Sequence, residues 1–117
     1  MNKAERAARQ AVIDTCLEMN ALGINQGTSG NVSVRQGEGF LITPSGVPYD
    51  VMSPDSVVAM DLDGGYSGDW LPSSEWRMHM DLYRARPEAG AVVHTHSTYA
   101  TALSCLRHDV PAFHYMI

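Results

Sequence analysis

Residues 91 to 97 read Ala91-Val92-Val93-His94-Thr95-His96-Ser97, three small or β-branched apolar residues that run into a His-x-His. The apolar run predicts a short buried strand. Side chains alternate between the two faces of a strand, so His94 and His96 are expected to point the same way. Two imidazoles side by side at a strand end can bind one metal ion, usually Zn²⁺. A pair of hydrogen-bonded histidines near the surface would give the same pattern.

The composition is that of one soluble globular domain. The chain has 117 residues, of which 44% are hydrophobic and 18% charged, and its net charge is −5. An acidic chain without a Lys/Arg cluster lacks the basic surface that a nucleic-acid partner requires. No apolar run approaches membrane-spanning length, and the N-terminus predicts an amphipathic helix, not a signal peptide. Cys16 and Cys105 lie far apart in apolar helical patterns, which predicts buried thiols in a reducing cytoplasm.

Hydrophobic periodicity predicts helices and strands in both directions from the His-x-His. A first helix is expected between a cap near Asn2 and a stop at Gly23. A second should run from Pro72-Ser73-Ser74 to about Arg86, before Pro87. Its apolar stripe, expected to pack on the core, consists of Met78, Leu82 and Ala85. The remaining expected elements are strands at about 31–35, 40–43, 57–60 and 111–117, and a helix over about 98–106.

Two loops are rich in glycine, hydroxyl and amide groups, one over residues 25–31 and one at Thr43-Pro44-Ser45-Gly46. Such loops expose backbone N–H groups and short donors that suit an anion such as phosphate, although an ordinary tight turn has the same composition. Ser73 and Ser74 are expected where unpaired N–H groups at a helix start attract an anion. Glu75 follows them, and either the helix dipole or a chemical role would explain an acid there.

Taken together, these motifs resemble those of the class II aldolase/adducin-head family. They lie in order along essentially the whole chain as Gly27-Thr28-Ser29-Gly30-Asn31-Val32-Ser33, Thr43-Pro44-Ser45-Gly46, Pro72-Ser73-Ser74-Glu75, His94-Thr95-His96 and His114-Tyr115. The resemblance implies an α/β fold with three α/β/α layers, in which helices flank a mixed, largely antiparallel central sheet. It also implies that residues 1–117 are the N-terminal part of a single domain. The implied assembly is a cytoplasmic homotetramer with active sites between subunits.

The implied activity is that of a zinc-dependent aldolase. It would cleave a ketose 1-phosphate, of the L-fuculose 1-phosphate type, to dihydroxyacetone phosphate and a short aldehyde such as lactaldehyde. One Zn²⁺ per subunit would be held by His94, His96 and a third histidine beyond Ile117, with Glu75 as a ligand when no substrate is bound. Glu75 would also move a proton at the substrate carbon, and Tyr115 would donate one to the aldehyde oxygen in a neighbouring subunit's site. The phosphate would be held by Thr28, Gly30, Asn31, Ser45, Gly46, Ser73 and Ser74.

Alternatives stay open at this point. A sugar-phosphate epimerase or a methylthioribulose-1-phosphate dehydratase of the same fold would share these motifs, although epimerases of the family tend to carry Asp where Glu75 stands. A non-catalytic association module like the adducin head is expected to lose the metal-binding histidines, whereas His94 and His96 are both present.

Overall fold

A computed structural model describes residues 1–107, 109 and 110 of the chain. The elements in this part of the chain are α1 (Lys3–Ala21), β1 (Asn31–Gln36), β2 (Gly39–Ile42), β3 (Val58–Met60), α2 (Trp76–Ala85), β4 (Ala91–His94) and α3 (Thr98–Cys105), with short 3₁₀ turns at Tyr49–Val51 and Pro54–Ser56. The strand predicted over residues 111–117 lies outside the described residues.

The first helix, α1, begins and ends where the sequence predicts. The Asn2 side chain accepts a hydrogen bond of 2.8 Å from the backbone N–H of Glu5, which caps the first turn. Gly23 has a φ of +74°, a conformation that favours glycine and that ends the helix. Cys16 is fully buried, and burial raises the pKa of its thiol to about 12, so the thiol is neutral at physiological pH.

The four strands form one antiparallel sheet in the order β3-β2-β1-β4. Alternation along β2 divides the core between the two faces of this sheet. Leu41 packs in a cluster with Val12 and Cys16 of α1, whereas Phe40 and Ile42 pack in a cluster with Tyr83 of α2. The sheet therefore lies between α1 and α2, and the predicted α/β class is confirmed.

The strand β4 differs from its prediction as a buried strand, because it is an edge strand of the described sheet. Ala91 is exposed and Val93 is 53% exposed. Val92, on the opposite face, packs against the Phe40 cluster. An apolar run alone specifies neither the strand order nor what packs on each face of a strand, and among the described residues only one face of β4 is covered.

The side of α2 that packs on the sheet is also not the one that the sequence predicts. Met78 and Leu82 are 38% and 41% exposed, and Ala85 is exposed as well. The buried side chains are instead His79 and Tyr83, at 0% and 1% exposure. The prediction of an apolar contact stripe is wrong because the face of β1 that meets α2 carries polar side chains, and the helix turns its own polar side chains toward them.

The second cysteine and the third helix have little burial in this structure. Cys105 is exposed, so the prediction of two buried thiols is wrong for this residue, although both cysteines are free thiols as expected. The helix α3 buries none of its residues.

Among the helices that the structure describes, none is long and apolar enough to cross a membrane.

Arg35 fastens the C-terminal end of α2 to β1. Its guanidinium donates hydrogen bonds to the carbonyl oxygens of Ala89 at 2.7 Å, Tyr83 at 2.9 Å and Arg86 at 3.0 Å. It also lies over the Tyr83 ring, 4.8 Å from the ring centroid. The last carbonyls of a helix have no partner within the helix, so a cation that binds them satisfies these groups and interacts favourably with the helix dipole.

Arg35→Ala is expected to lower the free energy of unfolding by about 2 kcal/mol, because it leaves these carbonyls without their charged donor. Urea denaturation measures this change. Arg6→Ala is the matched control, since Arg6 has a side chain 57% exposed and only a 4.0 Å ion pair with Asp55; its effect should stay within about 0.5 kcal/mol. Equal stabilities of the two variants would show that Arg35 does not fasten the helix.

Candidate active site

Glu75, His94 and His96 form a group of potential metal ligands in the part of the chain that the structure describes. One ligand atom from each residue can be chosen so that all three lie within 4.8 Å of one another. The rings of His94 and His96 have centroids 4.7 Å apart, and Nδ1 of His94 lies 2.7 Å from Oε2 of Glu75. The structure thus brings together three side chains that the sequence predicts as metal ligands.

The donor set fits a divalent metal ion. Nε2 of His96 is buried and has no hydrogen-bond partner among the described residues. Buried polar nitrogens are almost always paired, so a ligand at this position would satisfy it. Two imidazoles and one carboxylate are ligands that Zn²⁺ and related transition-metal ions prefer, and catalytic zinc sites typically take three protein ligands.

The two histidines owe their positions to β1 and the loop before it. Asn31 is paired directly with His94 across the β1–β4 ladder. Beyond the end of β4, the backbone N–H of His96 donates to Oδ1 of the buried Asn25 at 2.9 Å. A Cβ on Gly30 would lie 2.5 Å from the His94 carbonyl oxygen and 2.7 Å from Oδ1 of Asn25. Only glycine therefore allows the loop to pack so closely beneath the histidine pair.

Glu75 is held at the N-terminal end of α2, beside the histidine pair. Its Oε2 accepts a hydrogen bond of 2.7 Å from Nδ2 of Asn31. This hydrogen bond, followed by the nearby His94, holds the pKa of Glu75 below its usual value against the opposing effect of partial burial. The carboxyl group is therefore ionised at neutral pH, and it can bind a cation or accept a proton.

A buried polar layer lies beneath Glu75. The ring of His79 has Nε2 2.5 Å from Oδ1 of Asn31 and Nδ1 2.6 Å from Oγ of Ser33, which in turn lies 2.7 Å from the Tyr83 hydroxyl. Burial, and then the charge of His94, lower the pKa of His79 to about 4, so its ring is neutral at physiological pH.

A small cavity of about 270 Å³ adjoins Glu75. Glycine, hydroxyl and amide groups from three segments of the chain line it. The lining includes all the residues predicted to bind phosphate, namely Thr28, Gly30, Asn31, Ser45, Gly46, Ser73 and Ser74. No Lys or Arg is among the described residues that line it, so an anion there would be held by neutral donors.

Two of the lining segments are tied to each other by their backbones. Ser45 donates its N–H to the Leu71 carbonyl at 2.8 Å, and Ser73 donates its N–H to the Thr43 carbonyl at 2.9 Å. Because these amides join the loops, Ser45 and Ser73 can donate to an anion only through their hydroxyls, and Oγ of Ser73 also accepts a hydrogen bond of 3.3 Å from the backbone N–H of Glu75. This pairing also explains why α2 begins at Trp76 and not at the predicted serines.

The predicted roles of Asn31 and Tyr115 are not tested by this structure. The carboxamide of Asn31 is engaged by Glu75 and His79 in this structure, and its phosphate role stays a prediction. Tyr115 lies outside the described residues, so its role also stays a prediction.

Sequence reasoning missed the residues that support the site, among them Asn25, Ser33 and Tyr83. A signal existed for the last two. Polar side chains recur at i, i+2 and i+4 along β1 and at i, i+4 and i+8 from Glu75, and these spacings place each set on one face. Asn25 had no comparable signal, because its contact with His96 spans 71 residues of sequence.

Comparisons with known proteins agree with these motifs. A profile of the family described as Class II Aldolase and Adducin N-terminal domain matches residues 10–117. The chain is 53% identical over 117 residues to the L-fuculose phosphate aldolase of Haemophilus influenzae, covering 100% of this chain and 53% of that protein. It is 52% identical over 108 residues to the 5-methylthioribulose-1-phosphate/5-deoxyribulose-1-phosphate aldolase of Escherichia coli, covering 92% and 51%.

A solved structure of an L-fuculose 1-phosphate aldolase is similar, with a TM-score of 0.88 at 39% identity, and the match covers 94% of this chain and 53% of that one. The chain thus spans about half the length of the curated relatives it matches.

The low pKa of His79 makes stability depend on pH. The unfolded residue titrates near 6.5, whereas the folded one stays neutral down to about 4. Between these values the unfolded state binds more protons, so the free energy of unfolding falls as the pH is lowered, by on the order of 3 kcal/mol in total. Urea denaturation across this range measures the fall. His79→Gln has no titrating ring and should give a flatter dependence, and identical slopes would rule out a buried neutral histidine.

Proposed function

The chain belongs to the class II aldolase and adducin N-terminal domain family, as its motifs predict, and on this premise we propose that the protein is a metal-dependent aldolase. It would cleave a ketose 1-phosphate to dihydroxyacetone phosphate and a short aldehyde. One observation carries the proposal: Glu75 belongs both to the group of potential metal ligands and to the lining of the neutral-donor cavity. A carboxylate between a cation site and an anion site is what this reaction needs.

The cavity would bind the phosphate of the substrate. Hydroxyls of Thr28, Ser45 and Ser74 and the backbone around Gly46 offer neutral donors there. Because the cavity adjoins Glu75, a phosphate bound in it would direct the carbonyl end of the sugar toward the histidine pair. Orienting the substrate in this way holds its carbonyl end close to the catalytic groups, which lowers the entropic part of the barrier.

The residues His94, His96 and Glu75 would hold the metal ion, which we propose to be Zn²⁺, one per subunit. When bound, the ion supplies Lewis acidity toward the carbonyl oxygen and the adjacent hydroxyl of the substrate. By resemblance to the family, residues 1–117 would form the N-terminal part of a single domain, and a third histidine beyond Ile117 would complete the ligand set.

Glu75 would be the acid or base at C3 of the substrate, donating a proton to C3 in cleavage and removing it in condensation. In cleavage, the C4 hydroxyl loses a proton, the C3–C4 bond breaks and C3 gains a proton; condensation runs the same steps in reverse. The ionised form of Glu75 suits the condensation direction, in which it removes the C3 proton of dihydroxyacetone phosphate. Tyr115 would carry the proton at the C4 oxygen from a neighbouring subunit of a cytoplasmic homotetramer.

The substrate is proposed as L-fuculose 1-phosphate or a 5-substituted ribulose 1-phosphate. Relatives at 53% and 52% identity bear names of both kinds. Each of these substrates is a ketose 1-phosphate, so each presents the same phosphate and carbonyl end to the described site.

His94→Ala is expected to lower the zinc content well below one ion per chain, because it removes one of the imidazoles on which the affinity of the proposed site mainly depends. Elemental analysis of the dialysed protein measures zinc per chain. Cys105→Ser is the control, since Cys105 is an exposed thiol that could also bind zinc, and this variant should keep the full metal content. Metal retained at one ion per chain in His94→Ala would move the site elsewhere.

Glu75→Gln is expected to lower kcat by about 10²- to 10⁴-fold, the usual contribution of a general acid or base, while phosphate affinity persists and the histidines of the proposed site keep the metal ion bound. Release of dihydroxyacetone phosphate from L-fuculose 1-phosphate, 5-methylthioribulose 1-phosphate and 5-deoxyribulose 1-phosphate measures turnover. Asp81→Asn makes the same change of charge at an exposed position of α2 and should leave kcat unchanged. A zinc-loaded wild-type protein that releases no dihydroxyacetone phosphate from any of the three would refute the proposed activity.

A further inference from the structure

A continuous line of hydrogen bonds runs from the core of the protein to the carboxylate of the site. Its members are Tyr83, Ser33, His79, Asn31 and Glu75. Each link measures between 2.5 and 2.7 Å. The line crosses repeatedly between α2 and β1, and the mechanism proposed above uses only its last member.

The direction of every hydrogen bond in this line follows from the carboxylate at one end and from the single proton of the neutral His79 ring. The carboxylate of Glu75 can only accept, so Asn31 must turn its Nδ2 donor toward Glu75 and its Oδ1 acceptor toward His79. His79 must then donate from Nε2. A neutral ring carries one proton, so Nδ1 accepts from the Ser33 hydroxyl, which in turn accepts from the Tyr83 hydroxyl.

We infer that His79 is a positioning residue of this site: its Nε2–H fixes the Asn31 carboxamide in the orientation that donates to Glu75. A carboxamide has nearly the same shape in both orientations, so shape alone does not choose between them. In the reversed orientation, Oδ1 of Asn31 would face the carboxylate of Glu75 and repel it. A donor opposite Oδ1 removes this ambiguity.

The surroundings of His79 suit this role. The ring is completely buried, and both of its nitrogens have partners, so it is held from two sides. The other ring near Oδ1 of Asn31 is that of His94, whose Nδ1 is 3.3 Å away and 2.7 Å from Glu75. Since His94 is a proposed metal ligand, it is not a dependable donor to Asn31, whereas His79 lies outside the ligand group.

The protonated nitrogen of His79 can be identified in the wild-type protein without any turnover. Nitrogen-15 NMR of the histidine rings distinguishes the two neutral tautomers, and His79→Gln assigns the signal. We expect the Nε2–H tautomer with a slowly exchanging ring proton. The Nδ1–H tautomer would overturn the inference, because His79 could not then donate to Asn31.

Two variants at one position separate the role of Nε2 from that of burial. The amide nitrogen of Gln can occupy the position of the histidine Nε2, whereas that of Asn reaches only the position of Nδ1. His79→Gln should therefore keep the wild-type kcat within a few-fold, and His79→Asn should lower kcat by about 10- to 100-fold. The KM for the ketose 1-phosphate should change little in His79→Gln, because His79 does not line the phosphate cavity and this variant keeps the Asn31 carboxamide in place.

The effect on kcat rests on the proposed function, whereas the effect on Asn31 does not. NMR signals of the Asn31 side-chain amide should be slowly exchanging in the wild type and in His79→Gln, and fast exchanging in His79→Asn. If His79→Asn does not fold, His79→Leu replaces it and should also make these signals fast exchanging, because Leu cannot donate to Asn31. Equal kcat losses in both His79 variants, or unchanged Asn31 exchange in His79→Asn, would refute the positioning role. A wild-type protein without aldolase activity would refute only the proposed function.

Discussion

The contact between the polar sides of β1 and α2 is the constraint on which the rest of the structure depends. Two residues of a strand advance by about 6.6 Å, and four residues of a helix advance by about 6 Å, so polar residues at these spacings can meet one after another. The strand contributes Asn31, Ser33 and Arg35, and the helix side contributes Glu75, His79 and Tyr83. The match in pitch explains why one line of contacts can join a core tyrosine to a site carboxylate.

A polar contact of this kind is specific because it allows little variation in side-chain rotamers or in the rotation of the helix. A buried donor or acceptor that loses its partner costs on the order of 1–3 kcal/mol, so each member of the line restricts the rotamer of the next. An apolar contact between α2 and the sheet would tolerate small rotations of the helix, and Glu75 would move with it. The apolar side chains of Met78 and Leu82 lie on a flanking side of α2 and are 38% and 41% exposed.

Local patterns in the sequence are sufficient to predict the caps of α1 and the positions of the first three strands. The Asn2 cap, the Gly23 stop and the strands β1 to β3 depend on neighbours within a few residues, and they were predicted closely. The contact side of α2 was predicted wrongly because hydrophobic periodicity assumes that the buried side of a helix is apolar. Burial of β4 depends on strand order, which no local pattern contains, and the support of His96 by Asn25 depends on a contact distant in sequence.

The register of the sheet explains why β1 fixes the positions of His94 and of the Glu75 carboxylate relative to each other. Asn31 is paired with His94 in the ladder and binds Glu75 through its side chain, so β1 positions both. A shift of one residue between β1 and β4 would turn His94 to the opposite face of the sheet. The same shift would leave Asn31 bound to His79 and Glu75, because that contact does not involve β4. In the observed register, Gly30 packs closely against the His94 carbonyl, where a Cβ would lie 2.5 Å from the oxygen. The glycine of the family motif thus acts on the geometry of the histidine pair as well as on the anion cavity that it lines.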